Sequence, residues 1–388
     1  MRGYMRQRGT AWELRVFLGL DPTTGKKRYA TKTVKGGKRS AQLALAEMVT
    51  QASEGRLALT TATVGELLEE WLAKVSADFS PKTVLETRRV LDHHLIPTFG
   101  TVPLRRLRAK DIDAYYSKLR GGKATATRVL SASTIRRIHG ILHVALEQGV
   151  RWGWLPINPA SAASPPRVTN REIKPPSPEE LGLLFTRAAQ EAPDLSTFIV
   201  VAAALGARRS EVIALRWRDF DLEAGRVEIA RAIVLGPDGL VEKDTKSHAA
   251  RTVSIDATTT TLLTEHLQRM TDRAVLCGVV LADEAFVFSD AADLSVSWRP
   301  DSATRRFTQL RDQCGLPSVR LHDLRHYVAT MMLTSGVDVR TVAGRLGHRN
   351  ASMTLNVYSH FLEASDRAAA DTLGRIFDKA LAPGEAEE

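Results

Sequence analysis

The stretch "NPASAASPPRVTNREIKPPSP", residues 158–178, holds six prolines. Each proline fixes φ and removes a backbone donor, so neither a helix nor a central strand is expected to run through it. We read it as an extended linker. At 388 residues the chain is already long for one ordinary domain of about 100–200 residues. The prolines therefore mark where the chain separates into parts that each bury their own core.

Ahead of the linker two parts are expected. In residues 1–60, Trp12, Leu14, Val16 and Leu18 alternate with Glu13, Arg15 and Phe17, the period of a half-buried strand. "DPTTG" supplies turn residues and "KKRYATKTV" a returning strand. Ser40 is placed to cap a helix through "AQLALAEMVTQ". This small sheet with one helix carries twelve Lys/Arg against four Asp/Glu, a net +8. Residues 61–157 read as about four helices. Thr63 with Glu66 makes a capping box, Ser80 and Pro81 open a second helix, and Ile135, Ile138, Leu142 and Ala145 share one face of the last. Arg88, Arg89, Arg136 and Arg137 sit on exposed rims, where the overall charge makes contact with phosphate as much an expectation as a solvated face.

After the linker, Ser177, Pro178 and Glu180 cap the first helix of a third part, residues 179–380. "GRVEIARAIVL" and "ARTVSI" read as strands and the rest as helix, leaving a polar tail at 381–388. The fold class is multidomain and mainly α with small β elements: a basic sheet-plus-helix, a helical domain, and a mixed α+β domain.

A net charge of +10 and a pI near 9.7 favour a polyanionic partner, above all nucleic acid. The two cysteines, Cys277 and Cys314, have no CxxC partner, which argues against a zinc ribbon or a disulfide framework. The opening residues lack the apolar core of a signal peptide, and the longest apolar run, "FIVVAAALGA", is too short to span a bilayer. We expect a soluble, cytoplasmic protein with no membrane contact.

Chemistry-bearing residues gather in the third part. Arg208 follows an apolar helix that ends at Gly206. In "LHDLRH", His322, Arg325 and His326 fall on one helical face. "LGHRNASMTLNVYSHF" adds His348 and Tyr358 after a turn at Gly347. These residue types suit phosphodiester attack. Guanidiniums can clamp the non-bridging oxygens of a pentacovalent phosphorus and stay charged at every relevant pH. A histidine donates a hydrogen bond or shuttles a proton, a tyrosine can be the nucleophile, and a lysine can protonate the departing oxygen.

"GARRSE", "HDLRH" and "LGHRN…VY", in this order, resemble the motifs of the tyrosine recombinases, or phage integrases, over nearly the whole chain. The resemblance implies an arm-binding-type domain at 1–60, a core-binding, SAM-like domain at 61–157 and a catalytic domain at 179–380. It implies Arg208, His322, Arg325 and His348 as catalytic and Tyr358 as nucleophile, with Glu211 in a structural role. For the lysine it offers Lys246 over Lys243, because "TKSHAAR" is similar to the family's hairpin, with Ala250 where that pattern usually has Ser. It further implies double-stranded DNA with core and arm sites, a homotetramer on DNA, an excisionase or DNA-bending protein as accessory, and no cofactor or metal.

Three other readings compete. His322 and His326 have the i,i+4 spacing of zinc ligands, with His348 or His360 as a third, but Asp323 stands where a metalloprotease has Glu. "VDVRTVAGRLGHRNASMTLNVYSHF" has the spacing of a helix-turn-helix regulator. A type IB topoisomerase would share the tyrosine chemistry.

Overall fold

The alternation around Leu14 produces a three-stranded antiparallel sheet: β1 (Gly3–Arg8), β2 (Ala11–Leu20) and β3 (Lys27–Lys35), in the order β1-β2-β3. Helix α1 (Lys38–Ser53) covers one face. Leu14 and Val16 are fully buried against Ala41, Met48 and Ala52, with Trp12 and Leu18 beside them. Strand β1 was not expected, because "GYMRQR" lacks apolar alternation; of its side chains, Met5 joins the core. α1 begins ahead of Ser40, since Ala41 N–H bonds to Gly37 C=O at 3.2 Å and closes a turn on the glycine pair. The register lines up Tyr4, Arg15 and Thr31 in one row and Arg6, Glu13 and Thr33 in the next. They lie on the face that α1 does not cover.

The computed structural model describes residues 3–20, 25, 27–53, 61–121, 129–169, 175–244, 250–282, 284–348 and 373. The chain divides into two units, Met1–Asn170 and Arg171–Glu388. The first unit continues with α2 (Val64–Val75), α3 (Pro81–Val90), α4 (Ile96–Phe99), α5 (Ala109–Gly121) and α6 (Ala132–Arg151). The capping box at Thr63 and the cap at Ser80 form as expected. A π turn over Leu91–Leu95 joins α3 to α4, just ahead of Pro97. A proline inside a continuous helix would lose a hydrogen bond and clash with the preceding turn, and the π turn accommodates it. Ile135, Ile138, Leu142 and Ala145 are fully buried in one core with Leu67, Leu68 and Leu91.

Two expectations need correction here. The first part of the proline stretch is not extended: Pro159–Ala162 forms a 3-10 turn, with Ala160 buried in the helical core. Proline is tolerated at a first helical position, where its missing N–H costs nothing. The Asn158 amide ties the turn to α6 by donating to His143 C=O and Glu147 Oε2, both at 3.0 Å. The rim arginines are not all free to meet phosphate. Arg88 makes a bidentate pair with Glu69 at 2.7 and 2.8 Å, Arg137 pairs with Glu86, and Arg136 donates to Pro166 C=O at 3.1 Å.

The second unit opens with α7 (Pro178–Glu191), capped by the Ser177–Glu180 box, and α8 (Pro193–Leu205). α8 is apolar all round and is the centre of the core, with Phe198, Ile199, Val201 and Leu205 buried. The short α9 (Arg209–Val212) follows. Strands β4 (Phe220–Asp221), β5 (Arg226–Ile229) and β8 (Arg251–Ser254) form one sheet, while β6 (Arg231–Gly236) and β7 (Gly239–Asp244) form a hairpin. Helices α10 (Ala257–Leu276), α11 (Pro300–Gln313), α12 (Asp323–Thr334) and α13 (Val339–Leu346) complete the described part. Among the described residues no helix is long and apolar enough to cross a membrane.

Candidate active site

Two left-handed glycines set up the site. Gly206 ends α8 at φ +57 and Gly347 ends α13 at φ +65. A Cβ on Gly206 would sit 2.7 Å from Leu346 Cδ2, and its left-handed backbone favours glycine, so the end of α13 packs close to the end of α8 here. Arg208 therefore leaves α8 at its edge, at the N-cap of α9, and donates from Nη2 to Gly347 C=O at 3.4 Å. His348 follows Gly347 directly and its backbone N–H bonds back to Ala343 C=O at 2.9 Å. These two chain segments lie 139 positions apart.

Helix α12 supplies the next two groups. His322 is its N-cap, in the right-handed helical region, and Arg325 lies in the first turn, only 4% exposed. Arg325 Nη1 donates to the carbonyl of Gly206, tying α12 to the end of α8. The His322 and His326 rings meet edge-on at 4.8 Å.

These groups share one electrostatic surround. The His322 imidazole is held below its ordinary pKa by burial, then by the positive charge of Arg325, with Arg208 also contributing. Burial, followed by Arg325 and Arg208, pushes His348 down to about 4. His326 also falls to about 4, through burial and its neighbour His322. These rings are neutral at pH 7 in a strongly positive surround, a site prepared for an anion. Arg208, His322, Arg325 and His348 thus come together. Lys243 lies on β7 opposite Ala232, and no hydrogen bond or ion pair among the described residues joins it to the cluster. Lys246, Tyr358 and His360 lie outside the described residues.

Glu211 anchors the arginines. It is 1% exposed, and its Oε2 accepts from Arg208 backbone N–H at 3.0 Å while Oε1 accepts from Arg208 Nη1 at 2.8 Å. Arg251 Nη2 donates to Oε2 at 2.7 Å. Burial pushes the carboxyl up, but Arg251 and Arg208 outweigh it and hold the group below the usual range. Two arginines were missed from the sequence. Arg251 ends the "TKSHAAR" pattern, a signal that was available. Arg345 gave none beyond its place in a last helical turn; it donates from Nη2 to Ala204 C=O at 2.7 Å and Ser254 C=O at 3.0 Å.

The fold is one found among DNA recombination enzymes. It resembles that of the Tn1549 transposon integrase solved with a circular intermediate DNA, with a TM-score of 0.66 at 17% identity over 80% of this chain and 99% of that one. The profile of the phage integrase family matches residues 178–364, and that of the phage integrase N-terminal SAM-like domain matches residues 63–120. An XerC-like tyrosine recombinase from Caldanaerobacter subterraneus subsp. tengcongensis is 25% identical over 81% of this chain and 83% of its own length. The ICEBs1 integrase of Bacillus subtilis is 23% identical over 93% and 96%. The chain belongs to the phage integrase family, whose members are tyrosine-type DNA strand transferases of site-specific recombination.

Proposed function

We propose that this protein is a site-specific integrase that cuts and rejoins duplex DNA through a 3′-phosphotyrosyl link to Tyr358. The observation that supports this most is the convergence of Arg208, His322, Arg325 and His348 on one buried-edge, cationic patch. Tyr358 Oη gives up its proton to a neutral imidazole of the cluster and attacks the scissile phosphorus, the bond to the 5′ oxygen breaks, and Lys246 gives that oxygen its proton. Arg208 and Arg325 hold the non-bridging oxygens as negative charge grows on them. Neutral His322 and His348 can donate further hydrogen bonds. The 5′-hydroxyl of a partner duplex then attacks the tyrosyl ester and restores a phosphodiester. The phosphoester energy is kept in the adduct, so the chemistry needs no nucleotide.

The reading extends to partners. The open sheet face carrying Tyr4, Arg6, Arg15 and Thr31 supports arm-site binding by residues 1–60. Core-site binding by the helical part, a homotetramer on two duplexes and an excisionase or DNA-bending accessory follow from the same reading. The test is a nicked suicide duplex carrying the core site, recovered by trapping adducts from a randomised duplex library. A covalent protein–DNA band on a denaturing gel, in excess EDTA, is expected; its absence with tightly bound DNA would leave a DNA-binding regulator.

A further inference from the structure

Strand β8 and helix α13 hold each other through a reciprocal pair of arginines. Arg251 of β8 donates from Nε to the carbonyl of Arg345 at 3.0 Å, and Arg345 of α13 donates from Nη2 to the carbonyl of Ser254 at 3.0 Å. The same Arg251 guanidinium donates from Nη2 to Glu211, the carboxylate that grips Arg208. Its Nη1 lies 2.7 Å from where a Cβ on Gly347 would stand, so it also packs under the turn that launches His348. The Arg251 side chain is only 10% exposed. One buried cation therefore touches the anchor of Arg208 and the backbone that carries His348.

We infer that Arg251 is a positioning residue for strand cleavage, setting the relative placement of the Arg208 guanidinium and His348. A planar fork presents its donors in fixed directions and so holds a carboxylate and a carbonyl in one relative geometry, which a freely rotating ammonium on a flexible stem does not impose. Misplacement of reacting groups by about 1 Å can cost about a hundredfold in rate, so this clasp acts on chemistry rather than on DNA affinity. Among the described residues, the charged groups that face the Glu211 carboxylate are Arg208, from the start of its own element, and Arg251, from β8.

The inference rests on the integrase reading, and the experiment separates the two. Adduct formation by the wild-type chain on the nicked duplex tests the integrase reading alone. With that in hand, Arg251→Gln should slow single-turnover cleavage by about ten- to a hundredfold, with the duplex Kd and its salt slope unchanged. Its acid limb should move to higher pH, because Glu211 loses a cation and protonates more readily. Arg251→Lys keeps the charge but loses the fixed fork that sets the two acceptors against each other; it should restore the acid limb and not the rate. In a Glu211→Gln background, Arg251→Gln should add far less than it does alone. Wild-type cleavage by Arg251→Gln, full rescue by Arg251→Lys, additive effects with Glu211→Gln, or a loss of affinity equal to the loss of rate would each overturn the inference. Should Arg251→Gln not fold, the rate and acid limb of Arg251→Lys decide it.

Discussion

Replacing Glu211 by alanine should destabilise the second unit strongly. The carboxylate is 1% exposed and accepts three hydrogen bonds, two from Arg208 and one from Arg251. Arg208 is 26% exposed on its side chain and can turn to water, whereas Arg251 is 10% exposed and cannot. The variant thus strands one buried cation. Breaking a buried pair in this way costs about 3–5 kcal/mol, and a unit of this size loses roughly 2–4 °C in Tm per kcal/mol. The melting of the second unit, followed through Trp217 and Trp298, should therefore fall by roughly 6–20 °C. Glu211→Gln keeps the shape and one acceptor and should lose less. Because the folded carboxyl is held below its ordinary 4.5, its contribution is present above that value and is lost as pH falls through the folded value. The gap between wild type and Glu211→Gln should be flat from about pH 8 to about pH 5 and should close below that. A gap under about 1 kcal/mol for Glu211→Ala, or one that widens in acid, would refute the account of the anchor.

Other predictions concern chemistry and binding. Arg208→Ala and Arg325→Ala should each slow cleavage by roughly a hundred- to a thousandfold, as loss of a preorganised donor does, with DNA affinity little changed in a filter-binding assay. The folded pKa of His348 and His326 lies near 4 against an ordinary 6.5. The depressed value favours the neutral rings, so the second unit should lose stability as pH falls from 6.5 toward 4 and not above that window. A bound phosphate offsets the positive surround, and calorimetry in buffers of different ionisation heat should then show proton uptake on core-site binding at acid pH. Removing residues 1–60 should flatten the dependence of log affinity on log salt for DNA with arm sites, while a short core site is still cleaved; an unchanged slope would make the basic sheet a solvated surface.

Much of this was legible in the sequence because it is local. The caps at Thr63, Ser80 and Ser177 form as their spacing predicts. The alternation at Leu14 and Val16 and the helical face at Ile135 find the cores directly. Strand β1 was hidden because an edge strand with one inward residue carries no period. The 3-10 turn at Pro159 was hidden because composition alone suggested an extended chain; its stability comes from Asn158 reaching His143 and Glu147. At the site, Arg208, His322, Arg325 and His348 stood out by ordered motifs. What joins them did not, since Arg251 to Glu211 and Arg345 to Ala204 are contacts between residues 40 and 141 positions apart. Such pairs have no signature in one sequence.

The central claim is that Tyr358 is the nucleophile delivered to this arginine–histidine cluster. Its most direct test is chemical identification of the link. The trapped adduct is digested with nuclease and protease, and the peptide carrying a residual nucleotide is sequenced by mass spectrometry. The account predicts a 3′-phosphotyrosine at Tyr358, and no adduct from Tyr358→Phe although that variant binds the duplex normally. A nucleotide on another tyrosine, such as Tyr327 next to His326 in α12, a 5′-linked ester, or an adduct that survives Tyr358→Phe would contradict it.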